Sequence, residues 1–212
     1  MQKDVFLSGE GNGWYSRNKE GIEASEYKEL IEKIQKLDVV NGNYLEVGCS
    51  NGGFLTKLSK VVEGKFTGID PSEIAIKEGI KLYPELKLIQ GTADKLEVED
   101  KYDVIIFGFC LYLCDPIDLF KIAYEVDARL KDGGYVVIKD FYSDIPYKNE
   151  YVHLEGVYSH KMDYTKMFLW NPLYRQVSTE VYGDKRDALI SISVVKKRLD
   201  EAYLDGSAIS NV

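Results

Sequence analysis

Apolar positions along the chain switch repeatedly between two spacings. Ile22, Leu30, Ile31, Ile34 and Leu37 recur at helical intervals with Glu and Lys between them, predicting a helix over residues 22–37. The Asn41-Gly42 turn then leads into a short apolar strand over 44–47. Helical spacing returns through Phe54, Leu55 and Leu58, and a second strand covers 65–70. Residues 71–83 predict a helix with Pro71 at its favoured first position. Third and fourth strands fall at 86–91 and 101–109, a helix at 115–130, and a fifth strand at 135–141 after the turn 131–134.

Strands alternating with helices imply right-handed crossovers and a parallel sheet covered on both faces, the doubly wound α/β class. Beyond residue 141 the pattern changes. Residues 142–175 are rich in tyrosine and polar side chains with weak periodicity. Two strand-like stretches follow, 174–183 and 187–198, and the short Gly183-Asp184 turn region between them suits an antiparallel hairpin. The expected architecture is therefore a seven-strand sheet, mostly parallel, ending in that hairpin. As one domain over 1–212, the chain divides into an N-terminal lid (1–28), a ligand-binding core (41–141), an insertion (142–175) and the hairpin (176–198). Asn171 to Tyr174 reads as a turn, and the tail from Glu201 as loosely held.

Composition narrows the options. A chain of 212 residues with 45% hydrophobic content can bury one sizeable core. The formal net charge of -8 repels phosphate backbones, so nucleic-acid partners are disfavoured. No apolar run is long enough to span a bilayer, and the first residues carry no apolar targeting core. Cys49, Cys110 and Cys114 form neither a metal-ligand pattern nor an even disulfide framework, so no metal is expected and a reduced, cytoplasmic protein is.

The chemistry begins where the first strand ends. Glu46 lies inside that strand, followed by Gly48-Cys49-Ser50-Asn51-Gly52-Gly53. Ligands of such sheets bind at the carboxyl ends of the strands, where small residues let backbone approach them closely. A pyrophosphate would want G-x-G-x-x-G spacing and no acid before the loop, so a nicotinamide cofactor is disfavoured. A cationic ligand with an amino group suits Glu46 better.

Glu46, Gly48 and Gly52, with Ser50 in place of a middle glycine, resemble the first motif of the class I S-adenosylmethionine-dependent methyltransferases, and later motifs match in order. The resemblance covers roughly residues 41–140 and is of the type 11/12 kind with a Rossmann-like fold. It implies S-adenosyl-L-methionine as cofactor and S-adenosyl-L-homocysteine as product. Glu46, Gly48, Cys49 and Gly52 would anchor the methionine end, Asp70 would accept from the ribose hydroxyls, and Pro71 would lie against the adenine edge. Thr92, Ala93 and Asp94 would frame the adenine, Phe109 would offer backbone to the amino group, and Leu113 would line the gap toward the acceptor. Trp14 and Arg17 belong to the lid, with Arg17 placed to pair with the methionine carboxylate. The bland alternatives are that Asp70 caps a helix, that Asp94 is a turn residue and that the cysteines are small core hydrophobes.

Methyl transfer is an in-line displacement, so the protein mainly positions the reactants, adding a base where the acceptor is a hydroxyl of high pKa. His153 and His160, both in the aromatic segment after the fifth strand, are the candidate catalytic bases, with surface histidines as the alternative. The expected acceptor is a hydroxyl or amine of a small molecule. Residues 107–116, 161–164 and 168–172 also resemble a bacterial subgroup found beside sugar and surface-glycan enzymes, which points to a sugar or nucleotide sugar. The rival readings are a regulatory protein that binds the cofactor without turnover and a methyltransferase acting on protein or nucleic acid.

Overall fold

The structure, a computed structural model, describes residues 1–185, 188–200 and 203; the tail expected to be loosely held lies almost wholly outside them. The sheet comprises β1 (Gly42–Val47), β2 (Gly64–Asp70), β3 (Lys87–Gln90), β4 (Tyr102–Gly108), β5 (Leu130–Phe141), β8 (Tyr174–Tyr182) and β9 (Ile190–Lys197), in the order β3-β2-β1-β4-β5-β9-β8. The first five strands are parallel, and β9 runs antiparallel to both β5 and β8. Both the doubly wound sheet and the terminal hairpin are as the periodicity predicts.

Alternation along the strands sends side chains to two separate cores. Leu45, Val47, Ile105, Phe107, Val136 and Ile138 meet α6 (Leu119–Arg129) and α7 (Lys166–Leu169) on one face. Tyr44, Val104, Ile106, Tyr135 and Val137 meet α3 (Lys28–Gln35), α4 (Gly53–Leu58) and α5 (Glu73–Leu82) on the other. Period-two burial on both faces is what a central strand under two helical layers requires. Strand order reverses between β1 and β4, so the loops leaving these strands diverge and open a crevice at the carboxyl edge.

Three local expectations are corrected. The helix over 22–37 is two helices: α2 (Gly11–Ala24) ends before Ser25, and Tyr27 takes a left-handed φ of 52° that no helix continues through. Pro71 is not the first helical residue, because Ser72 takes the cap, its hydroxyl accepting from Ala75 N at 3.1 Å, and pushes the proline outside. The segment after β5 is partly ordered as a small antiparallel hairpin, β6 (Tyr147–Glu150) with β7 (Tyr158–Lys161). Residues 2–10 are helical as well, with α1 (Gln2–Val5) joined to α2 by a wide π-type turn, Phe6–Glu10, kinked at Gly9. No helix of the described residues is long and apolar enough to cross a membrane.

Candidate functional site

The loop after β1 owes its shape to alternate left-handed residues. Gly48, Ser50 and Gly52 have φ of 79°, 52° and 82°. A Cβ on Gly48 would meet that of Cys110 at 2.5 Å, and one on Gly52 would meet Leu86 at 2.8 Å, so both positions need glycine for space as well as conformation. Ser50 occupies the same backbone region with a side chain, at a cost of about 1–2 kcal/mol. Its N–H donates to Asp70 Oδ2 at 2.8 Å, a bond that offsets the strain. The other Asp70 oxygen accepts from Ser72 N at 2.8 Å, so one carboxylate ties the loop of β1 to the helix after β2.

Above this loop lies a cleft of about 810 Å³, its open mouth included. Gly48, Asp70, Pro71, Thr92, Ala93, Asp94, Phe109, Leu113 and Trp14, all singled out in the sequence, line it. The turns after four strands and the N-terminal helix therefore converge on one space. Lys3, Phe6 and Gly11 line it too, so the N-terminal segment forms its roof.

Other expected residues fall elsewhere. Cys49 is buried, and a Cβ added to Gly68 would meet its sulfur at 2.5 Å, so it packs within the fold and does not face the cleft. Gly52 contributes loop geometry. Arg17 lies at the outer face of α2, in an ion pair with Glu10, and donates to Tyr151 Oη at 3.0 Å. His153 is exposed beyond β6, its ring 5.2 Å from that of Tyr151. His160 sits on β7, with its Nδ1 buried and without a partner among the described residues, and burial pushes its pKa below the ordinary imidazole value. Neither histidine lines the cleft.

Glu46 stands just behind the cleft floor. The residue is 4% exposed, and Oε2 has no hydrogen-bond partner among the described residues. Burial, and then the nearby Asp70, push its pKa well above the ordinary range. A Cβ on Gly108 would come within 3.3 Å of Glu46 Oε1, so this glycine leaves the carboxylate open on one side. An orphaned, buried acid is costly unless something positive or proton-donating meets it. Asp70 behaves similarly: burial raises its pKa to about 6 despite its two N–H bonds.

Asp94, at the far end of the cleft, is the opposite case. Lys3 Nζ lies 2.5 Å and Lys121 Nζ 3.0 Å from its Oδ2, and Thr92 Oγ1 donates to Oδ1 at 2.8 Å. Burial would raise its pKa, but these three donors together outweigh it and hold the group at about 2.

On the side of the β4 loop Trp14 and Phe109 line the cleft, with further rings packed on them. Trp14 Nε1 donates to Tyr112 Oη at 3.3 Å, and the Tyr112 and Phe109 rings meet Phe141 edge-on at 5.0 and 5.5 Å. Sequence reasoning missed Gln2, Lys3, Tyr112, Asp118 and Asp140. Gln2 donates to the carbonyls of Leu113 and Tyr158, and Lys3 reaches Asp118 at 3.1 Å. Asp140 is fully buried at the end of β5 and accepts from three backbone N–H groups. An aspartate inside the apolar run 135–141 was the one available signal.

The donor set fits S-adenosylmethionine: an unpaired acid opposite a missing side chain for an ammonium, and a second acid at the end of β2 for hydroxyl donors. Residues 20–182 match the methyltransferase-domain family, more than half of the chain. A tRNA U34 carboxymethyltransferase of Nautilia profundicola is 30% identical over 109 residues, covering 48% of this chain and 35% of that protein, so the chain spans about a third of the relative's length. Among solved structures, the 1,6-didemethyltoxoflavin-N1-methyltransferase of Burkholderia thailandensis, solved with S-adenosylhomocysteine, aligns at a TM-score of 0.68 and 16% identity, covering 92% of this chain and 87% of that one. The PH0226 protein of Pyrococcus horikoshii aligns at 0.64 and 21% identity, over 84% and 93%. At these identities the two structures speak for the fold. With the family match over residues 20–182, the chain belongs to the class I S-adenosylmethionine-dependent methyltransferases.

Proposed function

We propose that the protein methylates a hydroxyl or amine of a small, ring-shaped acceptor, a sugar or nucleotide sugar among the candidates. The observation that carries this reading is the aromatic lining of the cleft, where Trp14 and Phe109 face the space beneath an N-terminal roof and Tyr112 and Phe141 pack behind them. Aromatic walls suit flat or ring-shaped ligands, and a roofed cleft admits a small molecule more readily than a folded surface. When bound, S-adenosylmethionine supplies a methyl group on a sulfonium sulfur.

In this reading Glu46 holds the cofactor's ammonium, with Gly48 and Phe109 offering backbone beside it. Asp70 takes the ribose hydroxyls while keeping the loop closed, and Asp94 and Ala93 frame the adenine. Leu113 separates cofactor from acceptor. Arg17, paired with Glu10 and Tyr151, fastens the roof to the insertion and leaves the methionine carboxylate to the loop backbone. Roof closure excludes water from the transfer. Because both histidines stand off the cleft, positioning carries the reaction, and His153→Ala is expected to turn over normally.

A nucleic-acid acceptor is the second reading, favoured by the name of the Nautilia relative and opposed by the net charge of -8. The test is transfer of labelled methyl from S-adenosylmethionine to panels of sugars, nucleotide sugars, phenols and tRNA. A labelled small molecule supports the proposal. Labelled tRNA with no labelled small molecule overturns it, and cofactor binding with no labelled product from any panel or cell extract would indicate the regulatory binder.

A further inference from the structure

We propose that Asp140 is a positioning residue for methyl transfer, setting the place of the Leu111–Leu113 turn and, through it, the methyl end of the cleft and the seat of the N-terminal roof. The residue is 0% exposed at the carboxyl end of β5. Its Oδ2 accepts from Leu111 N at 2.9 Å and Tyr112 N at 3.3 Å, and its Oδ1 from Phe141 N at 2.7 Å. A single tight turn leaves its first N–H groups without partners of its own. A carboxylate, an acceptor on both oxygens, can take several of them at once.

The turn held in this way touches every part of the methyl end. Cys110 and Leu113 line the cleft, Tyr112 Oη accepts from Trp14, and the Leu113 carbonyl accepts from Gln2 Nε2 at 2.8 Å. Asp140 grips the turn from the sheet side while the roof docks on the other. Its own strand is firmly placed: β5 pairs with β4 and β9, and Phe109 N donates to Lys139 O at 2.8 Å. Asparagine would present an N–H₂ group where the turn already presents N–H groups, so Asp140→Asn replaces a bond with a repulsion.

The inference rests on the cofactor assignment, which is checked first: wild-type protein that does not bind S-adenosylhomocysteine refutes that assignment before any variant is made. The chain has two tryptophans, and Trp170 is 69% exposed and is not among the residues lining the cleft, so Trp170→Phe leaves Trp14 as a reporter of the roof. In that background Asp140→Asn should bind S-adenosylhomocysteine about tenfold more weakly, and Trp14 emission should shift to the red. Val136→Ala, a cavity on the same strand, serves as the stability control and should change neither. Unaltered affinity and emission in Asp140→Asn, or changes no larger than in Val136→Ala, would overturn the assignment. Should Asp140→Asn fail to fold, amide exchange of the wild-type protein decides: Leu111 and Tyr112 must exchange as slowly as Val137, and free exchange at either refutes the role.

Discussion

The two ends of the cleft handle buried acid in opposite ways. Beside the β1 loop Glu46 and Asp70 have no ion pair among the described residues, and their pKa values are raised. At the β3 loop Asp94 is clamped by Lys3 and Lys121 and held at about 2. The first arrangement leaves negative charge undercompensated where a ligand can meet it. The second uses the same chemistry to hold the chain's own N-terminal segment over the site. One end is prepared for a cation, and the other is already satisfied by one.

Neutralising Glu46 should give the largest break in this contrast. Glu46→Gln is expected to weaken S-adenosylmethionine binding by about 2–3 kcal/mol while raising the melting temperature of the free protein, because an unpaired buried acid is removed. Calorimetric titration and thermal melting on one sample would check both signs, and unchanged affinity would contradict the anchor role.

The contrast also predicts a split in pH dependence. Asp70, at about 6 in the folded protein, is raised, so its contribution to stability is present below the ordinary carboxylate value and fades as pH rises through about 6. Cofactor binding needs its ionised form and should run the other way, falling as pH drops through about 6. Asp94 is lowered, so the Lys3 clamp persists there and is lost only as pH falls from about 4 toward about 2. Affinity and melting measured from pH 4 to 8 should therefore show opposite slopes, and parallel slopes would refute the scheme.

Lys3→Ala should have a smaller effect, about 1 kcal/mol in stability, since the pair is partly solvated. It should also speed cofactor release, measured by stopped-flow, because the roof is loosened at one end. An unchanged release rate would argue against a moving roof. The smallest expected effect is at Ser50. Ser50→Gly relieves the left-handed strain and removes a buried hydroxyl that has no partner among the described residues, against the entropy cost of glycine, for a net gain of up to about 1 kcal/mol on chemical denaturation. A destabilised Ser50→Gly would mean that the hydroxyl matters.

Much of this was legible before the structure. Strands and helices announced themselves through local period, and the acids at their ends through position: Glu46 and Asp70 stand one strand apart in sequence, and Asp70 touches the loop that follows Glu46. What resisted reading was long range or locally contradictory. Glycine-rich residues 9–13 argue against helix, yet the segment is helical because Asn12 accepts from Ser72 Oγ at 2.8 Å and Asn51 Nδ2 donates to Tyr15 Oη at 3.1 Å, docking it on the core. Nothing near Tyr27 signals the left-handed residue that divides α2 from α3. The histidines drew attention by type, while Asp140 works through amides that no composition reveals.

By itself, the sequence determined the order of the core strands and helices, the glycine-dense loop and the acids placed after successive strands, because each depends on periodicity or on neighbours a few residues away. Only the tertiary structure decided that Lys3 meets Asp94, that Arg17 joins Glu10 and Tyr151, and that the histidines stand off the cleft. Those pairings cross ninety or more residues in the longest cases. A side chain's partner at that range is set by how the layers pack, and a single sequence carries no local record of it.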